Sequence, residues 1–210
     1  QENLLKEVGS YIQTRSNIIR LSLENLLKEH KDFQDLLLII SLLDSQNIPK
    51  DLLTKYTNAP VVDNFIYNLK KYSLLAGEFG TMAKNPVLSL HRSTQAIILA
   101  HLIKKLKLGR KSCYIKNIVG ILEKYIFDIV YKEDVFKMSL ILSHCERLLK
   151  HDNLLTPSSK AFITGELGSI YFYLNRYKEA EFLLQQAIKG LDENRENPDK
   201  LGQFLSCLAS

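Results

Sequence analysis

Two histidines and a cysteine form the densest group of metal-binding residue types in the sequence. His144 and Cys145 are adjacent, and His151 follows nearby. On a helix, His144 and His151 share a face but lie about two turns apart, so they cannot hold one ion together, and no third ligand is evident. We therefore predict no metal site and interpret both histidines as side chains satisfied within the helix.

Two glycine-containing stretches bear on phosphate binding, and neither has the required spacing. In "LGRKS" at 108–112, Arg110 separates Gly109 from Lys111, and the preceding glycine of a phosphate-binding loop is absent. The stretch "GEFG" at 77–80 is not a dinucleotide-binding fingerprint. Spacing alone also cannot identify a nucleophile and its base, because the fold decides which side chains meet. We therefore expect no catalytic residues and no enzyme activity in this chain.

The composition is that of a folded chain with a sizeable core. Of its 210 residues, 46% are hydrophobic and 24% are charged. The longest apolar stretches, such as Leu36–Leu43, are too short to span a bilayer, and no secretion signal opens the sequence. Three cysteines without CxxC spacing indicate reduced thiols rather than a disulfide framework. We therefore expect a cytoplasmic location and no membrane association.

A net charge of +5 raises the question of nucleic acid binding. Most basic residues occur in pairs with acidic residues between them, and the densest basic run is Lys104–Lys111. Cations in the last turn of a helix complement its dipole, and Gly109 would then end that helix. No aromatic residues are interleaved with the run, so we interpret it as a solvated helix end rather than a phosphate-binding surface.

The first half of the sequence predicts several helices and one hairpin. The periodicity of 2–30 indicates one helix, or two with a break at Gly9-Ser10. Three helices follow: Asp32–Asp44 with Asp32 as N-cap, a short one with Pro49 in its first turn, and one from Pro60 with a buried stripe of Val61, Val62, Phe65, Ile66 and Leu69. Short strands at 73–76 and 87–90 flank the loop 77–86, and a helix then runs from His91 to Lys107. Three helices followed by a hairpin are typical of a winged-helix domain.

The second half predicts pairs of helices: 113–129 with 133–150, 158–174 with 177–190, and a last helix from 199. Seven residues stand at the spacing of a tetratricopeptide repeat: Leu167, Gly168, Tyr171, Tyr177, Ala180, Leu184 and Ala187. Gly168 and Ala180 are small where paired helices approach, Tyr171 fills the space between them, and Ala187 admits the next repeat. The pair at 113–150 lacks this signature. The predicted fold class is mainly α: a winged helix with one small hairpin, followed by a tetratricopeptide-like solenoid.

The order of these parts resembles the STAND-type ATPases of the NB-ARC class. The residues that carry the resemblance are "LLLIISLLDSQNIPKDLL", "NFIYNLKKYSLL", "LSLHRSTQAII" and the repeat over 161–190. The resemblance implies three parts: residues 1–31 as the tail of a preceding helical domain, 32–108 as the winged helix, and 109–210 as the repeats. The chain starts with Gln1 and ends within an apolar run that contains Leu201, Phe204, Leu205 and Leu208, so we expect a fragment whose ATPase module lies upstream.

The resemblance also gives His91 a role. It follows the second predicted strand, where the family carries a Met-His-Asp motif, and here the motif reads Leu90-His91-Arg92. In the family this histidine reaches the β-phosphate of ADP and holds the inactive form. We therefore expect His91 to sense nucleotide in the full-length protein, with ADP or ATP as its cofactor, and expect no cofactor in this fragment. No role is assigned to Arg92, which replaces the third residue of the motif.

The partners expected for this chain are proteins or peptides bound by the repeats. First helices of such repeats line an inner groove, which makes Phe162, Ser169, Phe172 and Tyr173 candidate groove residues, although packing between helices is an equal alternative for the two phenylalanines. An uncovered terminal helix could also drive homo-oligomerisation.

Three functions therefore stand as alternatives. The first is the regulatory and sensor part of a nucleotide-switched ATPase. The second is a constitutive repeat adaptor, and the third is a winged-helix regulator that binds DNA. The third is disfavoured because the candidate recognition helix, 61–71, offers Asp63 near its start and cations only at its end.

Overall fold

The computed structural model describes residues 2–76, 86–194 and 204–205. These residues form nine helices and one small antiparallel sheet of two strands, which confirms a mainly helical chain. The chain divides into two units. The first unit comprises Gln1–Ser41 with Ser45–Lys107, and the second comprises Leu42–Asp44 with Leu108–Ser210.

The helices agree with the predicted ones to within a few residues. Along the chain the elements are α1 (Glu2–Glu29), α2 (Phe33–Leu42), β1 (Ile48–Pro49), α3 (Lys50–Tyr56), α4 (Ala59–Lys71), β2 (Val87–Leu88), α5 (Arg92–Leu106), α6 (Cys113–Tyr131), α7 (Val135–Leu149), α8 (Pro157–Tyr173) and α9 (Tyr177–Asn194). The first stretch is one helix that continues through Gly9-Ser10.

The sheet of the first unit contains a strand, β1, that was not predicted from the sequence. β2 pairs with β1, with Ile48 opposite Leu88 and Pro49 opposite Val87. Just after β2, Leu90 forms an isolated bridge with Leu75, as expected for the predicted pairing of 73–76 with 87–90. Pro49 is the N-cap of α3 rather than a residue of its first turn. Most of the predicted loop lies outside the described residues.

Local chemistry explains where the helices of the first unit begin and end. The Asn58 side chain accepts a hydrogen bond from the Val61 backbone N–H at 3.1 Å, and Pro60 stands in the first turn of α4. Helix α5 ends at Lys107, whose φ of 49° places it in the left-handed region, so the prediction that Gly109 ends this helix is wrong. The predicted stripe of α4 is buried except for Val61, which is half-buried.

The second unit is built around α8, which is buried along its whole middle, Ala161–Tyr171. Helices α6, α7 and α9 all pack against it. Small residues permit the close approach: a Cβ on Gly168 would lie 2.8 Å from the Leu184 Cγ, and Ala180 and Ala187 are buried as predicted. Tyr177 instead is 57% exposed and meets the Phe172 ring edge-on.

Two residues of the predicted terminal helix are described, and they differ in their surroundings. Phe204 is fully buried, whereas Leu205 is 49% exposed, so the two do not share a buried face. The Phe204 ring occupies the space that a Cβ on Gly165 would need. Gly165 is therefore the place on α8 where this aromatic ring docks.

Replacing Gly165 with alanine should destabilise the chain by about 1–3 kcal/mol, because the new methyl group overlaps the buried Phe204 ring. Gly120→Ala is the matched control: Gly120 lies in α6 with no atom within 4 Å of the added Cβ. There the better helix propensity should stabilise the chain by up to about 1 kcal/mol. Urea denaturation followed by circular dichroism measures both, and equal effects of the two changes would contradict this packing.

Candidate binding groove

His91 lies at the start of α5 in the first unit. It is the N-cap residue of that helix, its side chain makes no capping hydrogen bond, and it is exposed. Its backbone carbonyl accepts a hydrogen bond from the Gln95 N–H at 2.9 Å, and Arg92, the first residue of α5, is exposed. The imidazole is thus free to meet a ligand at the positive end of a helix.

The four predicted groove residues of α8 have different surroundings. Phe162 and Ser169 are buried, and the Ser169 hydroxyl donates to the Gly165 carbonyl at 3.2 Å. Phe172 and Tyr173 are half-buried and meet edge-on, and the Tyr173 hydroxyl donates to Glu133 at 3.1 Å. The structure thus brings Phe172 and Tyr173 together and leaves Phe162 and Ser169 inside the helix packing. Peptide binding by these four residues stays a prediction.

A concave site of about 590 Å³ lies elsewhere in the second unit, and we call it the α7–α9 groove. Its lining comes from three helices: Glu146, Leu149 and Lys150 of α7, Leu167 and Tyr171 of α8, and Lys178, Glu179, Phe182 and Leu183 of α9. Each helix contributes residues spaced three or four positions apart, which is one face of each. The sequence signal was present in this spacing, but only the packing of the helices shows that the faces meet.

The exposure of the apolar lining residues increases from the floor of the groove to its rim. Leu167 and Tyr171 are buried and form the floor. Leu149 and Leu183 are half-buried, and Phe182 is 61% exposed. Since a large apolar side chain gains from leaving water, this gradient makes the groove a place where an apolar ligand group could be covered.

Tyr171 fixes the polar side of the groove. Its hydroxyl donates to Glu146 at 2.5 Å, and the Arg176 guanidinium lies 4.2 Å from the centre of its ring. Arg176 also donates to Glu179 through Nε at 3.0 Å and Nη2 at 2.8 Å. Burial and the hydrogen bond to the Glu146 carboxylate raise the pKa of Tyr171 to about 12. Both acids of the groove are therefore already engaged.

The two lysines of the groove are placed differently from its acids. Lys150 and Lys178 are exposed, and neither forms an ion pair with a described residue. Arg176 adds a third cation beside the two acids, Glu146 and Glu179. The two lysines and two glutamates that line the groove balance in charge, and Arg176 beside them gives its rim a surplus of one positive charge. The groove thus combines an apolar floor with a slightly positive rim on which the lysines can meet an anionic group.

Burial and hydrogen bonding describe the surroundings of His144 and Cys145, two of the three residues considered above as metal ligands. His144 is buried and its Nδ1 accepts from the Asp44 backbone N–H at 3.1 Å, within the second unit. Burial, and secondarily Glu166, raises the pKa of the Cys145 thiol well above its usual range. No group of three or more His, Cys, Asp or Glu residues with metal-binding geometry occurs in the part of the chain that the structure describes.

Two cations of α4 and its neighbours form ion pairs. Lys50 forms an ion pair with Asp63, and Lys71 lies 3.4 Å from Glu29 of α1.

Within residues 2–76, 86–194 and 204–205, no helix is both long and apolar enough to cross a bilayer.

Comparisons with protein-family models, curated proteins and solved structures found no match to this chain.

The Tyr171 phenol should stay protonated at a pH at which an unperturbed tyrosine, with a pKa of about 10, ionises. Because the folded chain favours the neutral phenol, its contribution to stability is complete below about pH 10 and is lost as pH rises through about 12. The ultraviolet titration curve of the unmodified chain should therefore contain an absorbance step near pH 12 that is missing from the curve of Tyr171→Phe. Removal of a step near pH 10, with circular dichroism unchanged, would contradict this assignment.

Proposed function

We propose that this chain is the regulatory and sensor part of a nucleotide-switched STAND-type ATPase. Its first unit would hold the tail of a helical domain and a winged helix, and its second unit tetratricopeptide-like helical pairs. The order of elements is the observation that carries the proposal. In the first unit, β1 stands between α2 and α3, and the segment 87–90 meets β1 on one side and Leu75 on the other. The helical pairs α6–α7 and α8–α9 follow. This order supports the resemblance described above.

His91 fits a role in contacting a nucleotide phosphate. An exposed imidazole at the N-terminus of a 15-residue helix can donate a hydrogen bond to an anion, and the helix dipole favours negative charge there. A bound ADP would supply the phosphate charge that distinguishes the closed from the open form of the whole protein. The contribution of this chain is the imidazole donor, and its loss biases that equilibrium.

Binding of a protein or peptide to the second unit is the input in this proposal. The α7–α9 groove supports it, because its apolar floor and charged rim can recognise a partner without nucleotide. The same observation favours the second candidate, a constitutive adaptor that binds its partner in every nucleotide state. DNA binding is the weakest of the three, because the ion pairs of Lys50 and Lys71 reduce the positive charge near the candidate recognition helix.

Calorimetry with ADP and ATP tests the proposal on this chain and on a longer protein that includes the preceding coding sequence. We expect nucleotide binding by the longer protein alone. His91→Ala should weaken ADP binding about tenfold or more, as expected for loss of a hydrogen bond to a charged group. His101→Ala is the control, because it removes a half-buried imidazole from the C-terminal half of the same helix, away from His91. A longer protein that binds no nucleotide, or that keeps full ADP affinity after His91→Ala, would overturn the proposal.

A further inference from the structure

We propose that the α7–α9 groove binds an amphipathic peptide helix whose apolar stripe is flanked by acidic residues. The inference names the partner class of the second unit, and to that extent it rests on the proposed function. It is carried by three features of the groove: its shape, its apolar lining and the distribution of its charges.

The shape of the groove is that of a concave site formed by three helices, with room for several side chains of a peptide helix. Helices α7 and α9 both pack on α8, and the most deeply buried lining residues, Leu167 and Tyr171, come from α8. A volume of about 590 Å³ is large enough for two or three apolar side chains. A peptide helix presents such side chains at positions i, i+3, i+4 and i+7, which is the usual way in which a helix occupies a groove.

The apolar lining provides an anchor site at the rim. Phe182 is 61% exposed although it lies beside the half-buried Leu183. Aromatic side chains that a partner covers and shields from water are frequent hot spots in complexes. A docked apolar stripe would cover Phe182 and complete the burial of Leu149 and Leu183.

The charges select an acidic partner over a basic one. Glu146 accepts from Tyr171, and Glu179 accepts two hydrogen bonds from Arg176. Lys150 and Lys178 keep their ammonium groups exposed, without an ion pair among the described residues. Carboxylates that flank the apolar stripe of a peptide would meet these two lysines, whereas lysines at the same places would face like charge.

Fluorescence anisotropy with three labelled peptides of about 18 residues tests the inference on the whole chain. The first has leucine and phenylalanine at helical spacing with flanking glutamates, the second has lysines in place of those glutamates, and the third is a scrambled form of the first. We expect the first peptide to bind, the second to bind about tenfold more weakly or worse, and added salt to weaken the first.

Variants of the chain separate the apolar from the charged contribution. Phe182→Ala should weaken the acidic peptide about tenfold, and Phe136→Ala, an exposed phenylalanine of α7 outside the groove, is its control. The double change Lys150→Glu with Lys178→Glu should weaken the acidic peptide by about five- to tenfold and strengthen the lysine peptide. Lys189→Glu, on exposed α9 surface outside the groove, should leave both affinities unchanged.

Several outcomes would overturn the inference. They are absence of binding, equal binding of the scrambled peptide, a preference for the lysine peptide, or affinity that is unaffected by Phe182→Ala. Sedimentation that shows a dimer of the chain, dispersed by Phe182→Ala, would also overturn it, because a second copy would then occupy the groove. The peptide assay needs no nucleotide and the ADP assay reads His91, so failure of one is distinguishable from failure of the other.

Discussion

The packing of α8 is the constraint on which the second unit depends. Apart from the buried Glu166, this helix carries apolar or small residues over 161–171, and a helix of that kind is stable only when other elements cover it. Three helices of the unit do so. Gly165 and Gly168 mark the two sites where a neighbouring side chain comes too close for any Cβ to fit without rearrangement. The glycines lower the helix propensity of α8, and the packing that they permit compensates for this loss.

The same constraint explains how the α7–α9 groove arises. Helix α8 has neighbours on all sides, but two of them, α7 and α9, expose part of their own apolar faces at the groove rather than covering them. Leu149 and Leu183 are half-buried for this reason, and Phe182 is left largely in water. The groove is therefore a consequence of packing two amphipathic helices against one helix whose whole middle, 161–171, is buried.

Most of the fold could be predicted from the sequence, because its strongest signals are local. Asn58 with Pro60 marks the start of α4, and the periodicity of α4 marks its buried face. The strand β1 could not be predicted in this way: Ile48 and Pro49 are too few to show alternation, and their strand geometry depends on Val87 and Leu88 far along the chain. The range of α5 was predicted closely, but the residue that ends it was not, because glycine usually supplies a left-handed residue, whereas Lys107 supplies it here.

The sites were less predictable than the fold, because they depend on which faces meet. Spacing identified Phe162 and Ser169 as residues of a first helix, yet α8 has no continuous polar face over 161–171, and positions on such a helix are buried. The groove residues carry an ordinary amphipathic pattern that a solvated helix face would share. Their charges acquire meaning only in three dimensions, where Tyr171 and Arg176 engage the two acids and leave the lysines to face outward.

The two proposed ligand contacts therefore rest on different physics. His91 offers one donor at a helix terminus, and its effect depends on a charged phosphate brought by another module. The α7–α9 groove gains from covering apolar surface, with charge acting mainly on selectivity and on the rate of association. A sensor needs both kinds of contact, because a partner that binds through apolar burial changes a nucleotide equilibrium only if its affinity differs between the two forms of the protein. An adaptor needs the groove alone, so the difference between the two functions lies in coupling rather than in the groove itself.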